Sequence, residues 1–325
     1  MNSKDRILWI DNLRGFSIVA VVFLHTYLSV GGASGVLFGV PEVINSALYP
    51  FRLGLMFFVS GLFVAPGLKK GLPTYYIRKV ESIFYPFIVW TILYSCIAVI
   101  FATKLNNPRP PLQLLSMHLS GGGDITWFLH TLFIFFTIII FVKKIPFFIV
   151  LPLCWFLYFF LPPIDENSFF ESFDNFHFNK SLYLFPFFYL GNMVSECKFD
   201  ILEFSKNRAV LCASSISCFT VAFFYIFKIN FYNEIIIFSI LAIPFFVFLS
   251  NTSFFNLFNY IGTVSIFFYL SHYLIIQFFA KFIKTNYLFN RDLKFISAFV
   301  ASLIFCFIVS YFRKINIVKR LFIFG

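Results

Sequence analysis

The sequence predicts an all-α integral membrane protein: a bundle of about ten transmembrane helices, with both termini cytoplasmic. Three observations carry this. Of 325 residues, 60% are hydrophobic and only 12% are charged, against about 25% charged in soluble proteins. The mean hydropathy is +0.88. Apolar stretches near membrane-crossing length recur along the chain, separated by short polar breaks. The 55 phenylalanines read as bulk filler for lipid-facing and interhelical positions.

The first stretch, 7–30, reads ILWIDNLRGFSIVAVVFLHTYLSV and carries Asp11, Arg14 and His25. Its apolar run continues past His25, so no cleaved leader is expected. The second, 44–66, contains Arg52 and ends in FFVSG, where the small Ser60 and Gly61 favour close helix approach. The third, 83–103, follows the basic loop of Lys69, Lys70, Arg78 and Lys79 and contains Pro86. The fourth, 126–142, opens on Trp127 and includes His130; the fifth is 145–162. The sixth, 181–195, is short for a bilayer of ~30 Å. The seventh and eighth are 209–228 and 234–250. The ninth, 260–283, carries Ser265 and His272 seven residues apart on one helical face, and the tenth is 295–312. Prolines at 86, 152, 186 and 244 are tolerable in membrane helices. Two external loops stand out: 104–125, with turn-forming NPRPP and SGGGD, and the acidic 163–180. No linker or repeat divides the chain, so residues 1–325 read as one domain.

Orientation follows from Lys and Arg. With the N-terminus inside, cytoplasmic segments hold fifteen of the 25 and opposite loops eight, with Arg14 and Arg52 inside spans. The net charge of +11 is therefore a membrane-topology signal and predicts no nucleic-acid partner. The bias weakens toward the C-terminus, where the last external loop is basic. The six cysteines show no metal-type spacing and read as buried free thiols; no metal is expected. Nothing in the sequence sets an oligomeric state.

A charge in the middle of a membrane helix costs roughly 2.5–3.5 kcal/mol on insertion scales and usually faces a bundle interior. Arg14 and His25 are eleven residues apart. That is three turns plus about 20°, so they share one face about 16 Å apart. Asp11, three residues before Arg14, is within pairing reach. Histidine serves as a general base or transient acyl carrier, and arginine holds phosphate or carboxylate. Structural readings stand beside these. Arg14 and Arg52 can snorkel to an interface, His25, His130 and His272 can serve as interhelical contacts, Trp127 can belong to the aromatic belt, and the basic loop follows from orientation alone.

In combination these residues resemble the acyltransferase 3 family of multi-pass membrane O-acyltransferases. The resemblance rests on Asp11-Asn12-Leu13-Arg14-Gly15 running to His25 as Arg-x10-His, on FFVSG at 57–61, on WFL at 127–129 and on IGTVSIFFYLSH at 261–272. It spans nearly the whole chain, at the length of the stand-alone sugar O-acetylases. It implies transfer of an acyl group, usually acetyl from acetyl-CoA, to a hydroxyl of a glycan at the cell's cytoplasmic (inner) membrane. His25 is then the catalytic histidine, with Arg14 its essential partner and Asp11 beside it. Lys69, Lys70, Arg78 and Lys79 bind the donor, and Arg52, Ser60, Trp127 and His272 contact substrate. Family members often carry Arg-x-x-Arg before the third span. Here Arg78 is followed at +3 by Glu81 and Lys79 by Ser82; the second arginine is missing, a departure from the family pattern at the donor loop that leaves Lys69, Lys70, Arg78 and Lys79 as the candidates to substitute. A lipid, peptide or antibiotic-like acceptor stays open, as does an acyl group other than acetyl. The rival class is a secondary transporter, but no paired, interrupted segments mark two inverted halves.

Overall fold

The structure is a computed structural model that describes residues 3–31, 39–102, 110–119, 125–160, 175–229, 236–284 and 290–312. Among these residues the chain is helical, with no strand. It forms two compact units. One runs from the N-terminus to Ser60 and resumes from Glu196 to Tyr311; the other is Gly61–Ser195 with Phe312.

In the first unit, α1 (Ser3–Gly31) is followed by α2 (Val40–Leu48) and α3 (Arg52–Gly61). In the second come α4 (Val64–Leu68), α5 (Leu72–Lys79), a π-helical turn at Val80–Phe84, α6 (Tyr85–Ile100), α7 (Pro111–Leu119), α8 (Trp127–Val142), α9 (Phe147–Phe160) and α10 (Asn175–Glu196). The chain then returns to the first unit with α11 (Ile201–Ser205), α12 (Arg208–Ile226), α13 (Ile236–Leu241), α14 (Ile243–Ser250), a 3-10 turn at Ser253–Phe258, α15 (Asn259–Thr263), α16 (Ser265–Phe282) and α17 (Arg291–Tyr311).

Each of the ten apolar stretches has a helical counterpart, but fewer meet the full requirement for crossing a membrane. Six helical segments are long and apolar enough: Leu8–Val30, Val40–Leu68, Leu72–Ile100, Arg208–Ile226, Ser265–Phe282 and Arg291–Tyr311. A seventh counts if Ile237–Ser250 and Ser253–Thr263, bent by 88°, form one broken span. Helices α8 and α9 have 16 and 14 residues, or about 24 and 21 Å, short of a ~30 Å core. The outward faces are apolar: Phe141 and Phe148 are 77% and 75% exposed, which suits lipid rather than water. The loop features at 104–125 and 163–180 fall largely outside the described residues, as do Arg313, Lys314, Lys319 and Arg320. The thiols divide. Cys154, Cys218 and Cys306 are buried as expected, whereas Cys96, Cys197 and Cys212 are exposed. Cys96 and Cys212 sit on outward helix faces, and Cys197 follows the end of α10.

In the first unit, α1 and α16 run parallel. Arg14 meets Gly262, His25 meets His272 and Ser29 meets Gln277, in ascending order along both chains. Helix α17 returns antiparallel, with Tyr260 bonded to Ser310 and Ser271 to Cys306. Glycines allow the closest crossing. A Cβ on Gly15 would strike the Phe258 carbonyl, and one on Gly262 the Asp11 carbonyl. Asn12, fully buried, donates to the Ser250 carbonyl at 2.8 Å and to Asn256 Oδ1 at 3.1 Å. It thereby clamps α1 to both sides of the 88° bend.

In the second unit, α8 and α10 run parallel, joined by Thr131 and Ser181 hydroxyls at 3.3 Å and by the Tyr189 hydroxyl donating to Val142 and Ile145 carbonyls. Gly61 lies against the Phe188 backbone, the close approach that its size suggested. The π turn precedes Pro86, which has no N–H for the Ser82 carbonyl four residues back. The wider turn accommodates that gap.

Candidate functional site

Helix α1 is one uninterrupted helix through the polar residues of the first stretch, so the face read from periodicity is real. Arg14 is the seventh residue and His25 the eighteenth of the 23-residue span Leu8–Val30, and both point at the run 262–272. Arg14 Nη1 lies 3.5 Å from Asp11 Oδ1 and 3.5 Å from the Gly262 carbonyl oxygen. That carbonyl sits where the helix breaks between α15 and α16, so it is open to a side-chain donor. Arg14, with a quarter of its side chain exposed, is thus held at fixed depth by a carboxylate and a helix end.

Half-buried His25 packs against α16. Its ring centroid is 5.2 Å from that of His272 and 5.5 Å from that of Tyr273. His272 is fully buried. Its Nδ1 lies 2.9 Å from the Phe268 carbonyl oxygen, and its Nε2 is buried with no hydrogen-bond partner. A carbonyl only accepts, so Nδ1 carries the proton of the neutral ring and Nε2 keeps a bare lone pair. On the far side Cys306, also fully buried, bonds to Ser271 and to the same Phe268 carbonyl. One turn beyond the two histidines, Gln277 Nε2 donates to Ser29 Oγ at 3.0 Å.

Arg52 opens α3, but not at a membrane edge. It is the thirteenth of 29 residues in Val40–Leu68 and only 2% exposed, which replaces the snorkelling reading. The chain turn at 49–51 between α2 and α3 carries it inward. Its Nη1 donates to Asn45 Oδ1 at 2.9 Å, its guanidinium carbon lies 4.9 Å from the Tyr49 ring centroid, and its Nε is buried without a partner. Glu42, one turn from Asn45, is taken by Lys228 at 2.9 Å. Half-buried Ser60 donates to the Met56 carbonyl of its own helix.

The remaining sequence candidates belong to the second unit. Lys69, Lys70 and Arg78 are exposed. Lys79 instead sets its ammonium 3.6 Å from the Phe136 ring centroid, a cation–π contact. Trp127 is buried against Phe128 at the start of α8 rather than displayed in an interfacial belt. His130 rests on Phe87, ring centroids 5.5 Å apart, as an interhelical contact. Asn12, Asn45, Tyr273 and Gln277 were not singled out from sequence. Their common signal is polarity or an aromatic hydroxyl inside an apolar span. Among the described residues no cluster of three or more His, Cys, Asp or Glu side chains could hold a metal ion.

Arg14, His25 and the buried His272 on one interhelical seam, inside a chain of apolar spans, define a multi-pass membrane protein with an intramembrane polar site. The sequence profile of the acyltransferase 3 family, an acyltransferase domain, matches residues 7–312, and the chain belongs to that family. It is a membrane acyltransferase. No curated protein and no solved structure gives a significant match.

Proposed function

We propose that this acyltransferase moves an acetyl group from acetyl-CoA to a hydroxyl of a sugar in a surface glycan or glycan precursor. The observation that carries the proposal is the α1–α16 seam, which aligns Arg14 and His25 toward one run of chain and backs His25 with a second imidazole. His25 is the base: it takes the proton of the acceptor hydroxyl as that oxygen attacks the thioester carbonyl. The tetrahedral intermediate collapses, the C–S bond breaks, and the imidazolium returns the proton to the departing CoA sulfur. Arg14, fixed by Asp11, orients an anionic part of the donor. Lys69, Lys70 and Arg78, with Lys79, attract the CoA phosphates. Arg52, Ser60 and Trp127 serve the acceptor. Both units make up a single acyltransferase domain, a reading that the family match across them supports.

In the cytoplasmic membrane with both termini inside, Arg14 lies toward the donor's compartment and His25 toward the outer leaflet. The thioester arm then rises along the Arg14–His25 face. Membranes incubated with labelled acetyl-CoA and candidate glycans test this. Label should enter the glycan, and His25→Ala should abolish it at unchanged protein level. Wild-type activity in that variant sinks the assignment. Uptake of substrate without covalent change sinks the enzyme in favour of a carrier.

A further inference from the structure

Glu42, Asn45, Tyr49 and Arg52 follow one another at intervals of three and four residues, the spacing of one helical face. The turn at 49–51 keeps them together: Arg52 reaches back to Asn45 Oδ1 at 2.9 Å and lies 4.9 Å from the Tyr49 ring centroid. Opposite them, α12 sets Tyr225 on Tyr49, ring centroids 5.2 Å apart, and Lys228 on Glu42 at 2.9 Å. The result is a polar ladder within the first unit, and its charges are uneven. At one end Lys228 and Glu42 cancel. At the other, Arg52 is 2% exposed and has only neutral partners among the described residues.

A guanidinium is a flat fork of five N–H donors. Asn45 takes one from Nη1, Nε is buried without a partner, and Nη2 makes no hydrogen bond among the described residues. The Nε–Nη2 edge is therefore unfilled. Two parallel N–H bonds on such an edge match the two oxygens of a carboxylate. Leaving them unpaired in the interior costs free energy that a fold avoids unless something else fills the place. The edge is also reachable, because the Tyr49 ring that lies over the guanidinium is 42% exposed. Its depth suits the transfer site. Phe51 packs on Phe246, which also holds Phe16 of α1, and Tyr27 of α1 lies within reach of the charges of Glu42 and Lys228. The ladder thus runs beside the stretch of α1 that contains His25.

Resting on the acyl-transfer reading above, we propose that the Nε–Nη2 edge of Arg52 binds a carboxylate of the acceptor, so that the acceptor is an acidic glycan with a carboxylate-bearing sugar near the hydroxyl that is acylated. A carboxylate fits better than a phosphate. One cation is balanced by one negative charge, whereas a phosphate carries more charge and more acceptor oxygens than a single guanidinium edge satisfies.

The test uses the surface glycan of cells that make this protein, freed of esters with mild base, in two forms: native, and with its carboxylates reduced to alcohols. Calorimetry measures binding to the purified protein without any acyl donor. Reduction should weaken binding to the wild-type protein by about 100-fold, the scale of a charge-assisted contact. Arg52→Gln should bind both forms as weakly as the wild type binds the reduced one. Arg52→Lys, which keeps the charge but not the fork, should fall between. Equal binding of both forms by the wild-type protein overturns the proposal, as does a penalty for reduction that persists undiminished in Arg52→Gln. A bound glycan without carboxylates overturns it too, and so does binding lost only when phosphates are removed. The native–reduced comparison needs no variant, so a poorly folding Arg52→Gln leaves it decisive. Labelled acetyl-CoA added to the same mixtures separates the two readings: no transfer by the wild-type protein overturns the function and leaves carboxylate-dependent binding standing. If Arg52→Gln instead loses transfer only from a dicarboxylic donor such as succinyl-CoA, the edge serves the donor's acyl group and the acidic acceptor is overturned.

Discussion

Arg52 carries a full charge at mid-span, yet among the described residues its partners are neutral: the Asn45 amide and the face of Tyr49. A buried charge without a countercharge contributes little to stability by itself, and an apolar residue of similar volume often does as well or better. Arg52→Met should therefore keep or raise the melting temperature in detergent while impairing acetyl transfer. Asn45→Ala, which takes away the neutral acceptor and leaves the charge, should destabilise by about 1–3 kcal/mol. A large loss of stability in Arg52→Met would show that the guanidinium serves the fold rather than the substrate. At this scale the sequence was informative where chemistry is local. The shared face of Arg14 and His25 and the Asp11–Arg14 pair follow from helix periodicity, and both are present. The depth of Arg52 depends on the chain turn at 49–51, which Pro50 marks in the sequence, but hydropathy runs through that turn without a break and hides it. The pairing of His25 with His272 joins opposite ends of the chain, and no local pattern encodes it.

Helix α1 and the α15–α16 run cross so closely that glycine is the only side chain accommodated at two places. Gly262→Ala would drive a methyl into the Asp11 backbone and Gly15→Ala one into that of Phe258. Overpacking costs about 1–3 kcal/mol where neighbours can relax, and backbone relaxes less readily than side chains. Both variants should lower the yield of folded protein sharply, while Thr263→Ala, at an exposed neighbour, should be tolerated. Size-exclusion profiles of detergent extracts would separate these outcomes. The helical stretches themselves were legible, because long apolar runs have few alternatives in lipid. The 88° break was not. No Gly or Pro stands at 251–253, where the residues are Asn251, Thr252 and Ser253. The Ser250 and Thr252 hydroxyls bond back to the Val247 and Leu249 carbonyls, competing locally with the helix ladder, and Asn12 takes the Ser250 carbonyl.

For the whole molecule, the distribution of basic residues makes orientation testable. Cys197 is exposed beside Lys198, between the sixth and seventh apolar stretches, which an inside N-terminus and ten crossings would put in the cytoplasm, whereas Cys96 and Cys212 sit on apolar outward faces. A membrane-impermeant maleimide should label Cys197 only after the cells are permeabilised, and Cys197→Ser should abolish that labelling. Labelling of Cys197 in intact cells would invert the proposed topology, placing Arg14 on the outer side. The parallel courses of α1 and α16, and of α8 and α10, were implicit in the alternation of apolar stretches, which assigns the same direction to first and ninth and to fourth and sixth. The count of full-length spans was not, since hydropathy marks where a helix is apolar and hydrogen bonding decides where it stops.

The parallel seam also limits how this chain can change in length. Arg14 and His25 are separated by eleven residues on one side, Gly262 and His272 by ten on the other, and both contacts close at once. A single residue added to either stretch turns everything beyond it by about 100° and lifts it by about 1.5 Å, so His25 and His272 would no longer meet although every side chain were retained. An alanine inserted after Phe267 should therefore silence the enzyme as completely as loss of His25, without removing a single reactive atom. Relatives that keep this pairing are expected to differ freely in their loops and to carry no gaps within these two stretches.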